Sequence, residues 1–166
     1  MVSNLVRVGR RALLACVALA ALSGAWAKSA YFVQADVVRG AIGATGAVCV
    51  FNGVFQQGEQ IVWRAYVFDA ETGEVLTPEQ VEALGVQVFG VLDDNQKAEL
   101  HFMPHPPGSD NAEFFWAGGW QIPADYATGN YAWTLQVVDA AGNTATYTPM
   151  GAALGLGAIG IVEAAN

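Results

Sequence analysis

The chain has 166 residues, 54 % of them hydrophobic and only 13 % charged. Its 15 acidic residues all follow residue 27, where only the four residues Lys28, Arg39, Arg64 and Lys97 are basic, so that part carries a net charge of −11. Such a charge repels nucleic acid and anionic lipid and attracts a basic partner or a cation, and it also serves solubility.

Residues 1–27 read as a cleavable export signal. Arg7, Arg10 and Arg11 form a basic start, Ala12 to Leu22 an apolar run too short to span a bilayer, and Ala25-Trp26-Ala27 a small-residue cleavage site. Arg10-Arg11 fits a twin-arginine signal less well than an ordinary secretory one. Cys16 stands in a lipobox-like context but lacks an apolar stretch before it. The sequence therefore predicts a protein of the periplasm or cell exterior, with one domain over residues 28–166 and no integral membrane anchor. That length can bury a core without disulfides. Cys49 is the only cysteine left, and an odd cysteine in an oxidising compartment is either buried and inert, paired with another chain, or a soft-metal ligand.

Residues 31–39 alternate as an opening strand, and 40–46 form a Gly/Ala loop. Residues 47–51 read as a short apolar strand carrying Cys49. Residues 59–69 form the longest apolar run of the first half, with Ile61, Trp63, Ala65 and Val67 on one face and Val62, Arg64, Tyr66 and Phe68 on the other, which predicts a central strand covered on both sides. Thr77, Pro78 and Gln80 spell a capped helix start, and Gly85 can end that helix, a short crossing between sheets. Residues 86–92 and 97–103 read as two strands around the Asp93-Asp94-Asn95 turn. Tyr131, Trp133, Leu135 and Val137 fall on one face of a long strand; Asp139, Gly142 and Asn143 reverse it, and 144–147 return. Residues 150–163 form a Gly-rich connection into a final strand, whose Ile159 and Ile161 are either core or an apolar edge open to a partner strand.

The segment from Gly129 through Tyr131, Trp133, Leu135 and Asp139 to Gly142, Asn143 and Thr144 resembles the last hairpin of bacterial immunoglobulin-like domains. Gly58 to Ala65 is similar to their B strand. The resemblance implies an all-β, immunoglobulin-like antiparallel β-sandwich with one short helix. It places Tyr131 as a tyrosine corner, whose hydroxyl ties the preceding loop to the strand. No cysteine stands near Ala65 or Trp133, so the inter-sheet disulfide of antibody-type domains is absent. Such modules serve adhesion, spacing, carbohydrate contact and accessory roles alike.

Two constellations carry chemistry. His101, Met103 and His105, with Cys49 elsewhere, are the donor types that soft copper sites use. His101 and Met103 share a strand face roughly 6.5 to 7 Å apart, whereas His105 lies about 13 Å from His101 unless Pro104 and Pro106 bend the chain. The bland alternative is the solvated face of an edge strand, shared with Lys97 and Glu99. Phe114, Phe115, Trp116 and Trp120, around an expected Gly118-Gly119 turn, form either an aromatic platform or a plug of the core, with Trp120 expected inside and Trp116 at the surface. Asp93, Asp94 and Asn95, or Asp110 and Asn111, lack the spacing of a calcium cage. No nucleophile elbow, paired-His zinc motif or phosphate loop occurs.

These readings combine into an exported, non-catalytic binding or accessory subunit without a cofactor. It would dock an exported protein such as a redox enzyme through Phe115, Trp116, Trp120, Ile159 and Ile161. The alternatives are a copper carrier using His101, Met103, His105 and Cys49, and a carbohydrate-binding module using Trp116.

Overall fold

The computed structural model describes residues 29–165. The export signal expected over residues 1–27, with Cys16, lies outside the described residues. The rest is all-β with one short α-helix, and nearly every strand pair is antiparallel. The strands are β1 (Tyr31–Arg39), β2 (Val54–Gln56), β3 (Gln60–Asp69), β4 (Gln87–Leu92), β5 (Lys97–His105), β6 (Glu113–Gln121), β7 (Gly129–Tyr131), β8 (Trp133–Val138), β9 (Thr144–Tyr147) and β10 (Ile159–Val162). Helix α1 spans Pro78–Leu84, and a single 3-10 turn spans Ala152–Leu154.

Seven strands form one sheet in the order β1-β3-β6-β5-β4-β8-β9; the other three form a second sheet in the order β2-β10-β7, in which β2 and β10 run parallel. The large sheet curls until β1 approaches β9. A hydrogen bond from the Tyr31 hydroxyl to Asp139 Oδ2 (2.7 Å) ties the first strand to the turn between β8 and β9. The core fills the curl. Ile61, Trp63, Ala65 and Val67 of β3 meet Val88 and Leu92 of β4, Leu100 of β5 and Leu135 and Val137 of β8, while Phe55, Ile159 and Ile161 cover them from the small sheet.

Local chemistry accounts for the boundaries. In α1 the Thr77 side chain accepts from the Gln80 N–H while the Gln80 side chain accepts from the Thr77 N–H, a closed capping box. Gly85 ends the helix at φ 61°, in the left-handed region. The helix joins β3 to β4, which are strands of the same sheet, so it does not cross between sheets as expected. Between β3 and α1, Asp69 Oδ1 accepts from the Glu71 and Thr72 N–H groups at 2.7 and 3.0 Å.

Three expectations change. Residues 47–51 are not a strand: Cys49 sits at φ 59°, which no extended run tolerates, and the segment touches β1 through the Cys49 N–H to Arg39 carbonyl bond (2.8 Å) and one bridge between Val38 and Phe51. Gly118 and Gly119 lie inside β6 rather than at a turn. A Cβ at Gly118 would stand 2.3 Å from the Glu99 carbonyl oxygen, so the absent side chain permits close approach to β5. Tyr131 and Trp133 belong to different sheets, because the chain leaves the small sheet for the large one at Ala132.

Candidate functional site

The outward face of β1, β3, β6 and β5 carries a row of aromatic side chains beside an ion pair. Register determines who meets whom. Phe32 lies opposite Phe68, and their rings stack 4.3 Å apart. Asp36 lies opposite Arg64 and grips the guanidinium with both oxygens, at 2.8 Å to Nε and 2.7 Å to Nη2. Tyr66, two residues along β3, packs against Phe68 and against Phe115 of β6 at ring separations of 6.4 and 5.8 Å. Phe115 in turn stacks on His105 at 4.0 Å. Together these side chains make a continuous aromatic row across four strands.

A cleft of about 330 Å³ opens beside this row. Its floor is Ala35, Ala65, Arg64 and Asp36; Tyr66, Phe115 and Glu113 line one side, and Phe51 reaches over from the 40–53 loop. The Arg64 Cζ stands 5.7 Å from the centre of the Phe51 ring. Burial, together with a hydrogen bond to Glu113, pushes the Tyr66 hydroxyl up to about 12. Burial and the nearby Arg64 charge push His105 down, and its Nε2 is enclosed without a hydrogen-bond partner.

The structure distributes the sequence-predicted residues as follows. His101 and Met103 are exposed on the outward face of β5, opposite Ala117 and Phe115. His105 is half-buried under Phe115, and Cys49 is exposed on the 40–53 loop. Among the described residues, no three His, Cys, Asp or Glu side chains gather as a metal-binding group. Of the two tryptophans, one departs from expectation: Trp120, expected inside, does pack against the core, opposite buried Ile61, whereas Trp116, expected at the surface, is inside. Trp116 is buried at 4 % exposure, because its position opposite Ala65 and Phe102 faces inward. Trp120 is half-buried and packs edge-on against Tyr126 at 4.9 Å. Ile159 and Ile161 are 1 % exposed, since β10 is the middle strand of its sheet and not an edge. Of the five side chains expected to form a docking surface, Phe115 and Trp120 alone keep partial exposure.

The most exposed large apolar side chains lie elsewhere, on two loops. Met150 is 94 % exposed, Leu154 80 % and Phe51 71 %, with Val48, Val50 and Leu156 also open. The loops meet at one end of the molecule, where Phe51, Gly53, Trp133 and Gly157 line a shared hollow. The Trp133 indole donates to the Gly157 carbonyl at 2.8 Å, and Gly160 N–H to the Gly53 carbonyl at 2.8 Å. Residues 40–58 and 148–162 contain no charged side chain, and Asp36 of β1 is the charged group lining the hollow.

Sequence reasoning missed the polar anchors. Glu59 is almost fully enclosed. It accepts from Thr45 N–H (2.9 Å), Thr45 Oγ1 (2.6 Å) and Gln56 N–H (2.8 Å), and pairs with Arg39 Nε at 2.9 Å. Burial raises its proton affinity, but these bonds and the Arg39 charge outweigh that and hold the carboxyl below its ordinary range. It thereby pins the base of the 40–53 loop that carries Cys49 and Phe51. Asp139, expected as a turn former, does form the turn, with bonds from Ala141 and Asn143, and also closes the sheet through Tyr31. A lone acid before the 60–69 run and a lone arginine within its second face were the available signals.

No protein-family model matches the chain, and no curated protein does. A crystal structure of a DUF4426 family protein from Pseudomonas aeruginosa PAO1 overlaps 74 % of this chain and 88 % of its own, at 11 % identity and a TM-score of 0.37. A likeness that slight carries no argument about function.

Proposed function

We propose that this protein is an exported, non-catalytic accessory subunit that docks another exported protein through the end of the molecule where two apolar loops meet. The observation that supports this reading is the cluster of open apolar side chains on two loops, Phe51 and Val50 on one and Met150, Leu154 and Leu156 on the other. Several large apolar side chains open at one end of a molecule are stabilised by burial against a partner. The acidic remainder of the surface would favour a partner whose docking patch is apolar with a basic rim.

The immunoglobulin-like assignment belongs to this proposal. The Tyr131 hydroxyl donates to the Ala127 carbonyl at 2.7 Å, the bond a tyrosine corner makes. The seven-to-three division of strands and the parallel β2–β10 pair are departures from the usual sandwich.

The test is site-specific photo-crosslinking in the native host, from a probe at Leu154 and a control probe at Glu99. One discrete crosslinked species, obtained from Leu154 and lost on Met150→Asp with Leu156→Asp, supports the reading. Labelling equal at both sites, or none at either, refutes it. A second reading, copper carriage, is favoured by the exposure of His101 and Met103 on the same strand face. A Cu(I) titration decides it: stoichiometric binding lost on His101→Ala supports copper carriage, and background binding removes it.

A further inference from the structure

We propose that the cleft between Phe51, Tyr66 and Phe115 is a binding site for a small amphiphilic cation, an ammonium group carried on an aromatic or apolar body. The site lies on the outward face of the large sheet and adjoins the loop end assigned to docking, sharing Phe51 and Asp36 with it. Its volume of about 330 Å³ matches a small ligand and is far too narrow for a folded partner.

Three features point to this chemistry. The first is the wall: Phe51, Tyr66 and Phe115 present three aromatic rings to the same space. Aromatic faces carry negative partial charge and attract organic cations, most strongly where water is partly excluded. The second is the charge. Asp36 and Glu113 contribute two carboxylates and Arg64 one guanidinium, so the cleft is net negative. His105 stacks on Phe115, and burial and the Arg64 charge lower its proton affinity. The third is preorganisation. Asp36 is spent on its two bonds to Arg64, whereas Glu113, which lines the cleft beside Tyr66, is not tied to a cation there, and a carboxylate has several acceptor positions. Glu113 is therefore the group that would receive an ammonium N–H, beside rings already held in place by strand register. An anionic ligand would meet two carboxylates within a strongly acidic protein, and a neutral one would leave the charge of Glu113 unused.

The chemistry excludes nothing about size beyond one or two rings, so simple probes suffice. Phenethylammonium, its neutral isostere 2-phenylethanol and the anion 3-phenylpropionate are titrated calorimetrically into the full-length protein, with backbone amide shifts mapping the location. The expected result is ammonium binding at about millimolar dissociation constant or tighter, with shifts centred on Asp36, Arg64, Tyr66 and Glu113. The alcohol should bind about tenfold more weakly and the carboxylate not at all. Glu113→Gln should weaken the ammonium about tenfold, while Glu99→Gln, on the same face but outside the cleft, should leave it unchanged. Equal binding of amine and alcohol overturns the proposal, as does an effect of Glu99→Gln equal to that of Glu113→Gln. So does absence of amine binding below about 10 mM, well above the range expected for a built site. Neither Glu113→Gln nor these probes touches Met150, Leu154 or Leu156, so failure here leaves the docking reading standing, and the reverse.

Discussion

Adding one methyl group at Gly90 should destabilise the protein by about 1 to 2 kcal/mol, and the cost should vanish when Trp63 is made smaller. Gly90 sits in the middle of β4, where a glycine ordinarily weakens a strand, and alanine there would normally stabilise by about 0.5 to 1 kcal/mol. The structure reverses that sign. A Cβ at Gly90 would stand 2.6 Å from Trp63 Cδ2, 2.9 Å from Cγ and 3.0 Å from Cε3. Carbon contacts are optimal at about 3.5 to 4.0 Å, so the indole would have to retreat by about 1 Å. It has nowhere to go, because Trp63 is fully buried and neighbours on every side belong to the same core. Overpacking of this kind costs about 1 to 3 kcal/mol, and against a fully buried, immobile indole the upper half of that range applies, so subtracting the backbone gain of about 0.5 to 1 kcal/mol leaves about 1 to 2 kcal/mol. Urea unfolding followed by circular dichroism measures the loss as a lower midpoint at constant slope, with a fall of about 3 °C in Tm per kcal/mol. Trp63→Leu alone should cost about 3 kcal/mol through the cavity it leaves. In that background Gly90→Ala should turn neutral or mildly stabilising, which isolates the contact as a coupling between the two sites. A neutral Gly90→Ala in the native background would refute the packing argument. An equal penalty in both backgrounds would show that the strain comes from the β4 backbone and not from the indole.

Tyr131→Phe should lower stability by about 1 kcal/mol, the worth of its hydrogen bond to the Ala127 carbonyl, in the same urea assay. Glu59→Gln should cost about 2 to 4 kcal/mol, because Arg39 is left without its charge partner while the loop at residues 40–53 loses its anchor; amide exchange should rise at Thr45 before it rises in β4 or β8. On the acid side, hydrogen bonds from Asn143 and Tyr31 hold Asp139 at about 2, below the usual carboxylate value of 3.8. A depressed pKa means stability that is complete above the unfolded value and lost as pH falls, so the unfolding midpoint should decline from about pH 4 to about pH 2, with a smaller decline in Asp139→Asn. On the alkaline side, burial and Asp139 push Tyr31 up to about 12 from 10.0, so its contribution is complete below pH 10 and should disappear as pH rises towards 12. Tyrosinate absorbance should rise with the loss of structure, and Tyr31→Phe should remove part of that transition.

Much of the architecture was legible in the sequence, because it depends on interactions between residues close together in the chain. The alternation of Ile61, Trp63, Ala65 and Val67 marked a central strand, and all four are buried, but the cover expected on its other face is missing: Val62, Arg64, Tyr66 and Phe68 are only half-buried, because no layer packs outside the large sheet there. The Thr77, Pro78, Gln80 and Gly85 pattern specified α1 to the residue, since capping needs nothing beyond four neighbours. Asp139, Gly142 and Asn143 likewise specified the turn between β8 and β9, with the Asp139 side chain accepting from backbone N–H groups two and four residues on.

What failed depended on partners distant in the chain. Periodicity shows that Trp116 and Phe115 point to opposite faces, but only pairing with Ala65 and Phe102 shows that Trp116 is the inner one. The alternation of Ile159 and Ile161 is the same whether their strand lies at an edge or in the middle, and the placement of β10 between β2 and β7 decided it. Residues 47–51 have strand composition, yet the left-handed turn at Cys49 and the Glu59 anchor hold them as a loop. The candidate cleft belongs to the same class: Asp36, Arg64, Glu113 and Phe115 are brought together by the register of three strands spread over 80 residues of chain. A sequence determines directly what its near neighbours can do, whereas a site assembled across strands exists only once the hydrogen-bond register has been chosen by the folded whole.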